Sequence, residues 1–154
     1  VHLQHQHICN DYKLRELTTM IIKHLIEHGI KPSVQRIAIM EYLLTHKTHP
    51  MVDEIYEALV PQLRTLSKTT VYNTLKLLVE HQAVLAIGIE EGGMRYDGDT
   101  SDHMHFKCTI CGKIMDIRQP DLPESKKVFI EELNGCRIDQ THIYFKGVCK
   151  DCIK

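Results

Sequence analysis

The sequence predicts an α+β protein in two parts, helices first and short strands after. Three observations predict it. Apolar residues recur at helical spacing up to about residue 80, and beyond that the period shortens to that of strands. A polar run, Gly98-Asp99-Thr100-Ser101-Asp102, separates the two patterns. Two Cys-x-x-Cys pairs, Cys108/Cys111 and Cys149/Cys152, lie in the last third. With 154 residues the chain can bury one sizeable core or two small ones. The expected boundaries are 1–98 for a first domain with a loose arm at 1–10, 99–103 for a hinge, and 104–154 for a second domain.

Each element follows from local pattern. Leu14, Leu17, Ile21, Ile22, Leu25 and Ile26 fit a helix from about 11 to 28, stopped by Gly29. Ile30-Lys31-Pro32-Ser33 breaks the chain and caps a second helix carrying Val34, Ile37, Ala38, Met40, Leu43 and Leu44 to about 46. His49-Pro50 is the next break. A third helix carries Val52, Ile55, Tyr56 and Leu59 and ends at Pro61. Ser67 caps a fourth, with Val71, Leu75, Leu78 and Val79 inward, to about His81. Strand 84–89, the turn Glu91-Gly92-Gly93 and the return Met94-Arg95-Tyr96 form a hairpin. Three or four short helices followed by a hairpin is the winged helix-turn-helix pattern. After the hinge come strands near 104–108 and 113–118, a helix near 122–134 and a strand near 137–147.

Composition narrows the function. The 19 basic and 20 acidic side chains nearly balance, so a basic coat is excluded and nucleic acid would need a local face. No apolar run is long enough to span a membrane, and the polar start (Val1-His2-Leu3-Gln4-His5) reads as no signal peptide. Six cysteines without a secretory signal fit the reducing cytoplasm. There, two Cys-x-x-Cys knuckles suit a tetrahedral Zn²⁺ that is structural, with no open position for a substrate. Two disulfides or a redox pair are the alternatives. Cys136, beside Gly135, is expected to be a small buried hydrophobe.

Helix four opens Ser67-Lys68-Thr69-Thr70-Val71-Tyr72-Asn73. Its exposed N-terminal face offers a cation, hydroxyls, a phenol and an amide, the mixture that reads phosphates and base edges in a major groove. A plain amphipathic helix is the competing reading. Arg95 on the wing is placed to grip the DNA backbone. Lys31, Gln35 and Arg36 are candidate backbone contacts or ordinary solvated surface.

A second metal constellation follows the hinge. In a strand, His103 and His105 point to one side. With His49, Asp97 and Asp116 they make three imidazoles and two carboxylates, a set suited to Fe²⁺ or Mn²⁺. Each residue alone is also an ordinary surface side chain. Ligands on both sides of a hinge would let an ion favour one arrangement of the two domains.

These segments together resemble the ferric uptake regulator family: Lys31-Pro32-Ser33-Val34-Gln35-Arg36, Thr69-Thr70-Val71-Tyr72-Asn73-Thr74-Leu75, Asp102-His103-Met104-His105-Phe106-Lys107-Cys108, Cys111-Gly112-Lys113-Ile114-Met115-Asp116 and Gly147-Val148-Cys149-Lys150-Asp151-Cys152. The resemblance covers nearly the whole chain from about residue 11. It implies a homodimer of winged-helix repressors on double-stranded operator DNA, with a C-terminal α/β dimerisation domain and a regulatory metal. Within the family the chain looks most like the peroxide-sensing branch, because Asp116 stands where iron sensors usually carry Glu. That likeness implies His49, Asp97, His103, His105 and Asp116 as regulatory ligands. It implies His49 and His103 as the imidazoles oxidised when Fe²⁺ meets peroxide. Mn²⁺ in the same place would give a repressor blind to peroxide. Met104 replaces the acid of the family's auxiliary metal site, and His142 is one residue off register, so that site is expected to be absent.

An iron- or manganese-responsive repressor without oxidation chemistry is the nearest rival. A zinc-uptake regulator would bring a thiolate to the sensing site, and neither Cys9 nor Cys136 falls beside the histidines. A non-haem iron enzyme or a thiol oxidoreductase would need a substrate pocket or a free redox pair, and no residue cluster suggests either. The expectation is therefore a regulator and not an enzyme.

Overall fold

The computed structural model describes residues 2–89, 92–118 and 132–153. The chain divides into two compact units, Val1–Thr100 and Ser101–Lys154.

The first unit contains α1 (His2–Glu27), α2 (Val34–Thr45), α3 (Val52–Leu59), α4 (Lys68–Glu80), β1 (Leu85–Ile87) and β2 (Arg95–Asp97). Of the arm expected at 1–10, residues 2–10 are instead the start of α1. Neither Gly nor Pro occurs before Gly29, so nothing in the backbone interrupts the helix. At its end Gly29 adopts φ +70°, while Ile30 N–H donates to Leu25 and Gly29 N–H to Ile26. This pair of bonds closes the last turn around a left-handed residue. The end of α4 repeats it with Gln82 at φ +58°, Ala83 donating to Leu78 and Gln82 to Val79. Ser33 and Ser67 cap α2 and α4 as expected, their hydroxyls accepting from the N–H groups of Arg36 and Thr70. Ile21 and Leu25 of α1 are buried with Ile39, Met40 and Leu43 of α2, Ile55 and Leu59 of α3, and Val71, Leu75 and Leu78 of α4. The hairpin β1–β2 is antiparallel, with Ile87 opposite Arg95 and Leu85 opposite Asp97. Gly98 then passes so close to α2 that an added Cβ would lie 3.1 Å from Leu44 Cδ2 and 3.2 Å from Leu43 Cβ.

The second unit contains β3 (Met104–Cys108), β4 (Ile114–Ile117), β5 (Glu132–Leu133), β6 (Cys136–Arg137) and β7 (Tyr144–Gly147). One sheet has the order β4-β3-β7, antiparallel between β3 and β4 and parallel between β3 and β7. The helix expected near 122–134 lies mostly outside the described residues. Of its described positions, 132 and 133 are strand β5 and Asn134 is a turn. Asn134 and Gly135, both at positive φ, make the two-residue turn to β6. Asn-Gly is the strongest short hairpin signal, and helical spacing in the preceding segment obscured it. The strand expected over 137–147 is two pieces, β6 and β7, so His142 precedes β7 and the register argument does not apply to it. Cys136 is exposed on the hairpin, not buried, because a two-stranded ribbon has no second layer to cover it.

Candidate metal centres and nucleic-acid face

The register of the second unit builds the cysteine array. Parallel pairing sets Cys108 beside Gly147, so the knuckle after β3 and the one after β7 leave the sheet side by side. Thr109 N–H donates to the Gly147 carbonyl at 2.7 Å and fixes them together. Each knuckle closes on itself: Gly112 N–H reaches the Cys108 carbonyl and Cys152 N–H the Cys149 carbonyl. One ligand atom from each of Cys108, Cys111, Cys149 and Cys152 lies within 4.8 Å of all the others. The Cys111 and Cys149 sulfurs are 3.8 Å apart. Four sulfurs about 2.3 Å from a tetrahedral Zn²⁺ stand roughly 3.8 Å from one another, so the cluster fits that ion. A disulfide would need about 2.05 Å. The Cys108 thiol is lowered to about 6 by the backbone N–H of Cys111 and then that of Cys149. The Cys152 thiol is pushed up to about 12 by its hydrogen bond with Cys149 and then Cys111. The cluster thus favours one thiolate and resists the next, and four thiolates together need a cation among them.

The same unit presents His103, His105 and Asp116. His105 and Asp116 are opposite one another across β3 and β4. His103 Nε2 and His105 Nε2 are 3.0 Å apart, and each is 3.8 Å from Asp116 Oδ1. His103 Nδ1 lies 2.7 Å from the Ser101 carbonyl. A carbonyl only accepts, so Nδ1 carries the proton and Nε2 of the neutral ring keeps a lone pair toward His105. Fixing the far nitrogen in this way is how proteins orient a metal-ligating imidazole. Asp116 is the third of four residues in β4.

In the first unit His49 Nε2 lies 3.3 Å from Asp97 Oδ2, with both residues buried. Asp97 Oδ1 accepts from Asp99 N–H at 2.9 Å, which turns Oδ2 toward the imidazole. His49 adopts φ +51°, in the left-handed region. For a residue other than Gly this costs on the order of 1–3 kcal/mol and persists only where surroundings enforce it.

The recognition-type helix α4 carries its polar residues as expected, with one face buried. Thr69, Tyr72 and Asn73 are exposed, and so is Lys76, which continues the stripe one turn on. Lys76 lies beyond the N-terminal turn that the sequence singles out, at i+3/i+4 spacing from Asn73 and Tyr72. Ser67 and Thr70 are occupied by the cap, their hydroxyls 2.8 Å apart. Lys68 Nζ is 2.9 Å from Asp53 Oδ1 and 5.7 Å from the centre of the Tyr56 ring. The Asp53 carboxylate, as hydrogen-bond partner and as charge, raises the Lys68 pKa. Lys31 is exposed, Gln35 half-buried, and Arg36 donates back to the Lys31 carbonyl at 2.6 Å. Among the described residues no helix is long and apolar enough to cross a membrane.

Four helices with a two-stranded wing, joined to a strand unit bearing a four-thiol cluster, define a metal-binding winged-helix protein. The model of the ferric uptake regulator family matches residues 27–146. The chain is 35% identical to the peroxide operon regulator of Bacillus subtilis over 133 residues, covering 86% of this chain and 91% of that one. It is 34% identical to the peroxide-responsive repressor PerR of Staphylococcus aureus over 131 residues, 85% and 88% of the two chains. The structure of the Campylobacter jejuni peroxide stress regulator superposes with a TM-score of 0.65 at 28% identity, covering 87% of this chain and 97% of that one. The chain belongs to the ferric uptake regulator family.

Proposed function

We propose that the chain is a metal-dependent transcriptional repressor that senses peroxide, working as a cytoplasmic homodimer on operator DNA and turning over no substrate. The observation that carries the reading is Asp116 facing His105 across β3 and β4, with His103 Nε2 oriented beside them. The likeness to two peroxide regulators over most of the chain supports it. Residues 1–98 are the DNA-binding domain, 99–103 the hinge and 104–154 the dimerisation domain.

Cys108, Cys111, Cys149 and Cys152 hold a structural Zn²⁺. His49, Asp97, His103, His105 and Asp116 are the ligands of the regulatory Fe²⁺ or Mn²⁺. Bound Fe²⁺ would promote cleavage of the O–O bond of H₂O₂; overall a neighbouring imidazole would give up two electrons and take one peroxide oxygen at carbon, and the other oxygen would leave as water. His49 and His103 are the acceptors. The chain does the rest. Ser101 holds the His103 tautomer, Asp99 orients Asp97, and buried imidazoles keep solvent from the ligand atoms. An imidazole carrying oxygen loses the lone pair that ligates, so the ion no longer favours the DNA-binding arrangement and the population shifts away from it. DNA is met by Lys31, Gln35, Arg36, Ser67, Lys68, Thr69, Thr70, Tyr72 and Asn73.

Mass spectrometry of Fe²⁺-loaded protein given stoichiometric H₂O₂, beside an Mn²⁺-loaded control, tests this. One added oxygen on the peptide holding His49 or His103, in the iron sample alone, is the expected result. No modification, with DNA binding still metal-dependent, would leave an iron- or manganese-responsive repressor instead.

A further inference from the structure

His49 holds a backbone shape that its sequence opposes. A residue before proline is driven to extended conformations, yet His49 precedes Pro50 and sits at φ +51°. Strand β2 grips the backbone at the His49 carbonyl and at the next one along. Arg95 Nη1 donates to the His49 carbonyl at 2.9 Å, and Tyr96 N–H to the Pro50 carbonyl at 3.1 Å. The same Arg95 nitrogen lies 3.3 Å from Glu54 Oε2, the oxygen that accepts from Met51 N–H at the start of α3. Asp97, which faces the His49 imidazole, is two residues from Arg95 on the same strand. The Arg95 side chain is only 18% exposed, so the guanidinium is turned into the unit and not out from the wing.

We propose that Arg95 is a positioning residue for the His49–Asp97 pair: its guanidinium holds the His49 carbonyl, so the backbone keeps the left-handed turn that aims the imidazole at Asp97. The inference rests on reading that pair as metal ligands. It also removes Arg95 from the DNA-gripping role that its place on the hairpin suggested. Glu54 completes the device. Its carboxylate fixes the charged end of Arg95 and the first turn of α3 at once, so helix, loop and strand share one anchor.

The test is Mn²⁺ titration of the full-length, zinc-loaded protein, free ion being read by electron paramagnetic resonance. Wild type, His49→Ala, Arg95→Gln and Arg95→Lys are compared. Arg95→Gln is expected to weaken Mn²⁺ binding about tenfold or more, the range for residues that orient a ligand, with zinc content unchanged. Arg95→Lys, which keeps one charged donor, is expected to recover most of the loss. Should Arg95→Gln fold poorly, Arg95→Met keeps the apolar stem and carries the same readout. Wild-type Mn²⁺ affinity in Arg95→Gln, with binding lost in His49→Ala, overturns the role of Arg95 and leaves the site standing. Loss of DNA affinity at unchanged Mn²⁺ affinity also overturns it, in favour of a backbone contact. If the wild type shows no Mn²⁺ binding that His49→Ala removes, the site reading fails and this one with it.

Discussion

In the first unit, four helices close over Ile39, Met40, Ile55, Val71, Leu75 and Leu78, all fully buried. In the second, the buried apolar residues among those described are Met104, Cys108, Ile114 and Cys149, and two of these are thiols of the cluster. Phe145, Val148, Ile110 and Ile153 of the second unit remain exposed. Among the described residues, the contrast is between a unit that buries a broad apolar core and one whose buried apolar side chains include two thiols of the cluster. A fold of some fifty residues rarely gathers enough core to stand alone, and a structural metal is a common remedy. The parallel register of β3 and β7 is what brings the two knuckles within reach.

Three substitutions would break or sharpen that contrast. Cys108→Ser has the largest expected effect. Structural zinc contributes on the order of 10–16 kcal/mol of apparent free energy in small metal-folded peptides, so this change should melt the second unit. Zinc analysis and hydrogen exchange check it: no zinc, free exchange in β3, β4 and β7, and protection retained in α2–α4. Full zinc with protected strands would mean that the sheet does not depend on the cluster. Leu75→Ala comes next. A fully buried leucine cut to alanine should cost about 2–5 kcal/mol, read in urea by the helical signal, with zinc content unchanged. Loss of zinc in that variant would show that the two stabilities are linked. Ser67→Ala should have the smallest effect, about 1 kcal/mol from the lost cap of α4, seen as a lower melting temperature. An unchanged melting temperature would mean that the Ser67 cap adds nothing measurable to the stability of α4.

Where local chemistry decides, the sequence was readable. Ser33 and Ser67 stand at their helix starts, and β3 covers the five residues that alternation assigned to it. Gly29 and the Asn134-Gly135 turn show the two sides of punctuation. The first stops α1 as its position predicts, whereas the second was overlooked within a stretch of helical spacing. The arm at 2–10 was misread because polarity was taken for disorder, although nothing there breaks a helix. The cysteine cluster was legible because paired knuckles need only a close approach. The left-handed turn at His49 was not, because long-range bonds from Arg95 and Tyr96 hold it against the local preference. The same holds for Arg95, whose direction depends on a carbonyl 46 positions away.

On the proposed reading of α4 as the helix that meets DNA, the pairing of Lys68 with Asp53 bears on how tightly it would hold DNA of any sequence. Affinity without sequence preference comes from expelling the cations condensed on phosphates, about 0.9 ion for each phosphate neutralised. A lysine that arrives with its own carboxylate brings little net charge to the backbone and expels few ions. On that reading Asp53 would lower the salt sensitivity of binding and the pull of random DNA together. A larger share of the affinity would fall to the exposed Thr69, Tyr72 and Asn73, and discrimination among sites would rise as indiscriminate attraction fell.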